Sequence, residues 1–168
     1  MFRIASIVSI FFIPGILSAA IASSPFFQNL KSDAFETIDN HSQQGKWLIV
    51  MIWAHDCEIC EREVDDYQRF HQKHTGNDAS VLGITLDGDE RKQAAVDFVT
   101  RHQLNFENLI AEPEVVTAYY QITTGSQWIG TPSFLIFGPD GALMAKQAGA
   151  VSTDLIEQFI AANTATTQ

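Results

Sequence analysis

Trp47-Leu48-Ile49-Val50-Met51-Ile52-Trp53 runs into Ala54-His55-Asp56 and then Cys57-Glu58-Ile59-Cys60. Seven consecutive apolar residues are too few for a typical helix, and their uniformity predicts a strand buried on both faces. Beyond Cys57 the period changes: Cys60, Val64, Tyr67 and His71 recur one turn apart, which predicts a helix over 57–74. A Cys-x-x-Cys pair therefore opens a helix at the carboxyl edge of a buried strand, where open α/β sheets place their active sites. Cys57 and Cys60 are the only cysteines in the chain.

On the carboxyl side, Ser80–Leu86 (SVLGITL) predicts a second buried strand. Asp87-Gly88-Asp89 then turns into a helix over about 90–103, where Ala94, Ala95, Phe98 and Val99 face inward. A short strand near Leu109-Ile110 and a helix from Pro113 to about Tyr120 follow, with proline suited to the first turn. Ser133–Phe137 is a further strand, Gly138-Pro139-Asp140-Gly141 a turn, and residues from about 142 to 148 the returning strand. Ser152-Thr153-Asp154 starts a closing helix with Leu155, Ile156, Phe159 and Ile160, and Ala161–Gln168 reads as a fraying tail. On the amino side, residues 32–43 predict a short helix with Phe35 and Ile38 inward. The fold class is α/β, a mixed central sheet with helices on both faces, in one domain over residues 23–168.

The 168 residues are 46% hydrophobic and 18% charged, enough to bury a core. A formal charge of −10 argues against a nucleic-acid partner, whose binding leans on Lys and Arg. Residues 1–22 read as an export signal: Arg3 near the start, an uncharged apolar run broken by Pro14-Gly15, and Ala20-Ile21-Ala22 before the cleavage point. An uncleaved anchor is the alternative, since the run is near bilayer-spanning length; no cysteine follows it, which excludes a lipid anchor on cysteine. Cleavage would remove Arg3 and no acid, leaving the mature chain one unit more acidic. Either way the domain is expected outside the cytoplasm, in a bacterium the periplasm, where a cysteine pair is redox-competent.

At a helix N-terminus, free N–H groups and the dipole stabilise a thiolate. Cys57, in the first turn, is thus the candidate attacking thiol, and Cys60, on the inward stripe, the candidate resolving thiol. Three other readings of the pair remain. A structural staple is one, although closing a four-residue ring stabilises by about 1.9 kcal/mol, against roughly 4.7 for a hundred-residue loop. A metal site would need His55, His71 or His74 as further ligands, and no metal is expected. Covalent haem attachment wants histidine after the second cysteine, where Glu61 stands, and no cofactor is called for.

Trp53-Ala54-x-x-Cys57-x-x-Cys60, Gly130-Thr131-Pro132-Ser133-Phe134-Leu135-Ile136 and Gly141 in the hairpin together resemble the thioredoxin superfamily. The chain is most similar to exported thiol-disulfide reductases of the TlpA/ResA type, over roughly residues 30–162. The resemblance implies a thioredoxin-like fold, Cys57 as nucleophile and Cys60 as resolving cysteine in a redox-active disulfide. It also implies that Thr131-Pro132 is a cis-proline segment beside the disulfide, pairing its backbone with the substrate chain. Trp53 and Trp128 are expected to flank the site, Trp53 with the stronger claim to touch substrate; the alternative for both is core packing. Glu63, three residues after Cys60 and so one turn from it beside the buried stripe, matches a carboxylate of the family, and in that position it is expected to have a raised pKa and to relay the Cys60 proton. The alternative for Glu63 is an ordinary solvated acid among Glu58, Glu61, Asp65 and Asp66. The chain departs from the family in having Asp56 where an aromatic residue is usual, Ile59 where proline is frequent, and Met51 where cytoplasmic thioredoxins bury an acid.

Asp56, Glu58, Glu61 and Glu63 crowd the thiols, with Arg62 the nearby opposite charge. Negative charge opposes thiolate formation, and oxidants of this fold depend on a stabilised thiolate, so the expected direction is reduction. His55 would act the other way if protonated, but alone it reads as uninvolved. The expected function is a periplasmic protein-disulfide reductase acting on disulfide-bearing proteins, in cytochrome c maturation or general reduction. The resemblance also implies a membrane thiol-disulfide electron donor. A disulfide oxidase or isomerase of the same fold, and a non-catalytic redox-sensitive assembly chaperone, are the competing readings.

Overall fold

The computed structural model describes residues 25–42 and 44–164; the expected leader and the last four residues of the expected tail lie outside the described residues. In chain order the elements are β1 (Phe27–Asn29), β2 (Phe35–Glu36), β3 (Trp47–Trp53), α1 (Glu58–His74), β4 (Ala79–Thr85), α2 (Lys92–Arg101), β5 (Glu107–Ile110), α3 (Pro113–Thr124), β6 (Ser133–Phe137), β7 (Leu143–Ala148) and α4 (Thr153–Thr164). Short 3-10 turns occupy Ile38–Asn40 and Asp89–Arg91.

The strands form one sheet in the order β2-β1-β5-β4-β3-β6-β7, with β3, β4 and β5 parallel and the others antiparallel. β3 sits near the centre, and all seven of its residues are buried. Alternation along it divides the core in two. Trp47, Ile49, Met51 and Trp53 join residues of α1, α2 and α4 on one face. Leu48, Val50 and Ile52 join Val116, Tyr119 and Tyr120 of α3 on the other. One seven-residue run thus supplies both cores, which is why it carries no polar position.

The amino-terminal segment differs from the expected helix over 32–43. Asn29 Oδ1 accepts the amides of Lys31 (2.9 Å) and Ser32 (3.1 Å), and Asp33 takes a left-handed φ of 58°. This Asx-type turn closes a hairpin, with the Asn29 amide on the Ala34 carbonyl at 2.8 Å. Ile38 is buried as expected, whereas Phe35 is 71% exposed. The helix expected over 90–103 begins as a 3-10 turn, and α4 runs through Thr164, so Ala161–Thr164 are helical.

Two registers position the site. Trp53 pairs with Thr85 at the carboxyl ends of parallel β3 and β4. Ile52 pairs with Ser133 at the start of antiparallel β6. Residues 54–57, 86–88 and 130–132 therefore leave the sheet at one edge.

Candidate active site

Cys57 and Cys60 are joined as a disulfide, with Cα atoms 5.2 Å apart. Cys57 is the N-cap of α1, and its Sγ accepts the Cys60 amide at 3.1 Å. Its sulfur thus occupies the place a serine or aspartate oxygen takes at an ordinary N-cap, facing the positive end of a 17-residue helix. Cys57 is half-buried and Cys60 is 0% exposed, packed with Val64, Tyr67 and Phe70. An incoming sulfur therefore meets Cys57 first.

Glu63 is half-buried one turn along α1 from Cys60, and its Oε2 is buried without a hydrogen-bond partner. Burial pushes its carboxyl above the ordinary carboxylate range, Asp66 adds to the shift, and Arg62 partly offsets it. Glu63 is thus biased toward holding a proton relative to a solvated carboxylate. Below it, Tyr67 stacks on Phe134 with centroids 4.8 Å apart and donates its hydroxyl to the Val151 carbonyl at 2.7 Å. These contacts lock α1 against β6 and the start of α4.

The Thr131-Pro132 peptide bond is cis. Its place follows from the Ile52–Ser133 register: Pro132 is the next residue out, alongside the end of β3 from which the cysteine loop departs. The Pro132 carbonyl accepts the Gly149 amide at 2.8 Å, and Ser133 Oγ donates to the Gly130 carbonyl at 2.5 Å. Thr131 stays half-buried at the surface.

Trp53 is not at the surface, which corrects the expectation that it touches substrate. It is 1% exposed, stacks on Phe98 at 4.5 Å and donates its indole N–H to Asn108 Oδ1 at 3.1 Å. The strand's inward face, rather than its end, governs its direction. Trp128 is half-buried, with its indole nitrogen buried and unpartnered, and next to it Ile129 is 78% exposed.

The acids do not act alike. Glu61 Oε2 lies 2.9 Å from Arg101 Nη2, and Glu61 Oε1 lies 3.0 Å from His102 Nε2, close enough for an ion pair but without hydrogen-bond alignment. The Arg101 and His102 contacts hold the Glu61 carboxyl below its ordinary value even though its slight burial works the other way. Its charge is thus largely answered from α2, leaving exposed Asp56 and Glu58 as the charges crowding Cys57.

The sequence reading missed one connection entirely. His55 donates its amide to Asp87 Oδ2 at 3.0 Å, and its ring Nδ1 lies 2.6 Å from Asp87 Oδ1. The Trp53–Thr85 register carries the signal, because His55 and Asp87 each stand two residues past their paired strand ends. His55, Asp56 and Asp87, and separately Glu36, His41 and Glu107, bring donor atoms within 4.8 Å of one another. In each set a histidine is already bonded to a carboxylate, His55 to Asp87 and His41 to Glu36 and Glu107.

Residues 24–146 match the AhpC/TSA family. Sporulation thiol-disulfide oxidoreductase A of Bacillus subtilis is 20% identical over 69% of this chain and 67% of its own length. The thiol-disulfide oxidoreductase ResA of Bacillus cereus is 22% identical over 70% of this chain and 63% of its own. The chain thus spans about two thirds of these relatives. A secreted disulfide oxidoreductase of Mycobacterium tuberculosis superposes with a TM-score of 0.64 at 23% identity, covering 83% of this chain and 96% of that one. With its helix-capping Cys57–Cys60 disulfide and cis Thr131-Pro132 on one sheet edge, the chain belongs to the AhpC/TSA family and has the thioredoxin-like fold of ResA-like oxidoreductases.

Proposed function

We propose that the protein is an extracytoplasmic thiol-disulfide oxidoreductase that reduces protein disulfides through Cys57 and Cys60. The observation that carries the reading is the asymmetry of the pair: Cys57 Sγ at the mouth of α1, half-buried, and Cys60 wholly enclosed behind it. In the reduced protein the Cys57 thiolate attacks a client sulfur, the client S–S bond breaks, and a mixed disulfide forms. Cys60, giving its proton to Glu63, then attacks Cys57 Sγ; the second client thiol leaves and the disulfide described above is restored. Two electrons pass from the dithiol to the client.

Thr131 supports client docking: among the described residues no hydrogen bond takes up its backbone, whereas the Pro132 carbonyl is already used. Asp56 and Glu58 favour the reducing direction by opposing a stable Cys57 thiolate. The apolar run in residues 1–22 supports export to the periplasm, and the protein would be recharged there by a membrane thiol-disulfide carrier. Among the described residues no helix is long and apolar enough to cross a membrane.

Expression of Cys60→Ala tests the proposal. Exchange predicts client adducts that dissolve with a reducing agent, and a purified wild-type protein that reduces insulin disulfides when supplied with dithiol. A Cys60→Ala protein that accumulates no adducts would overturn it and favour a binding role.

A further inference from the structure

We propose that His55, held by Asp87, is the acid–base group that moves the Cys57 proton during exchange; this rests on the thiol-disulfide reading above. His55 and Cys57 line the same open cavity of about 230 Å3 at the mouth of α1, together with Asp56, Glu58 and Glu61. The Asp87 side chain is 2% exposed, and its Oδ2 accepts both the His55 amide at 3.0 Å and the Thr85 hydroxyl. A carboxylate so bound is an acceptor, which puts the His55 proton on Nδ1 and the free lone pair on Nε2. Nε2 has no hydrogen-bond partner among the described residues, and the ring is 26% exposed. The pair therefore supplies an oriented base at the cavity that the nucleophile shares.

Asp87 is the positioning residue, and its loop is itself fixed. Gly88 takes a φ of +63°, and a Cβ there would stand 2.3 Å from Glu112 Oε2. The Asp89 amide bonds Glu112 Oε1 at 2.9 Å. The charges around His55 are Asp87 with Arg91 Nε 3.8 Å away, Asp56 next in sequence, and Glu58 and Glu61 on α1, Glu61 being paired to Arg101 and His102 of α2.

The step balances. His55 Nε2 takes the Cys57 proton as Sγ attacks the client disulfide; the client S–S bond breaks, one client sulfur joins Cys57, and the departing thiolate takes the proton back from His55. No other reactant is needed. The base returns its proton within the step and leaves no lasting charge beside the thiols, so it is compatible with a reducing pair.

The test is the rate at which the full-length, reduced Cys60→Ala protein reacts with 5,5′-dithiobis(2-nitrobenzoate), with and without His55→Gln. Glutamine keeps an amide donor for Asp87 and lacks the base. At about pH 7 the rate is expected to fall on the order of 100-fold. At about pH 9.5, a unit above the ordinary cysteine pKa, the two proteins should converge, because the thiolate no longer needs a base. Equal rates at neutral pH, or a loss that persists undiminished at high pH, overturn the proposal. A second readout needs no variant: nitrogen NMR of the reduced protein should find neutral His55 protonated at Nδ1, and the Nε2–H tautomer would contradict the assignment. A wild-type protein that reduces no client disulfide would sink the proposed function instead, leaving the small-disulfide rates to judge His55 alone.

Discussion

Glu63 ties the stability of the protein to its proposed chemistry. Its folded carboxyl binds a proton more tightly than the unfolded one does, because burial and Asp66 disfavour the charge. The favourable contribution is present below the ordinary carboxylate pKa of about 4.3 and is lost as pH rises through the elevated folded value. Glu63→Gln should therefore raise the thermal midpoint at neutral pH by roughly 2–4 °C and leave it nearly unchanged at about pH 4, read by calorimetry. The same variant should slow release from the mixed disulfide, so that it is more stable and less active. A midpoint that falls at neutral pH would show that the buried Oε2 has a partner in solution. The position of Glu63 and the upward direction of its shift both follow from its three-residue spacing after Cys60, beside the buried stripe, as against the alternative of a solvated acid. His55 is the converse: its residue type is visible in the sequence, yet its meaning comes from Asp87, which only strand register brings near.

The elements were legible where one periodicity ruled. β3, α1, β6 and β7 follow directly from an unbroken apolar run, a helical stripe, a second apolar run and a Gly-Pro-Asp-Gly turn. The amino-terminal hairpin was not legible, because two- and three-residue strands have no period and the turn is decided by the Asn29 side chain and Asp33 backbone. Tryptophan placement failed for a related reason: Trp53 ends β3 next to the cysteine loop but points into the core, toward β4 and β5. There Gly83 makes room for it. A Cβ on Gly83 would lie 1.9 Å from Asn108 Oδ1 and 2.9 Å from Trp53 Nε1. Asn108 is held in turn by its Nδ2 bond to the Phe106 carbonyl at 2.9 Å. Gly83→Ala is therefore expected to cost about 1–3 kcal/mol by urea unfolding and to alter tryptophan fluorescence. An unchanged spectrum and midpoint would mean that the Trp53–Asn108 bond is dispensable.

Across the molecule, stability is concentrated in the strands that carry the site. β3 is bonded along its whole length to β4 and for five residues to β6, whereas β2 has two paired residues at the sheet margin. Amide hydrogen exchange followed by mass spectrometry should be slowest in β3, β4 and β6, and fastest in β1, β2 and the turn between them. Rapid exchange in β3 would show that the central strand opens independently of global unfolding.

The antiparallel docking of β6 on β3 also sets an order of assembly. During synthesis Cys57 and Cys60 emerge long before Thr131-Pro132, and they are near enough in sequence to meet without any fold. Until β6 arrives, Phe134 cannot stack on Tyr67, and the proline turn does not lie beside β3. A nascent chain thus carries the cysteines before the Tyr67–Phe134 stack exists, and the sheet edge proposed to dock a client is completed only by the last quarter of the polypeptide.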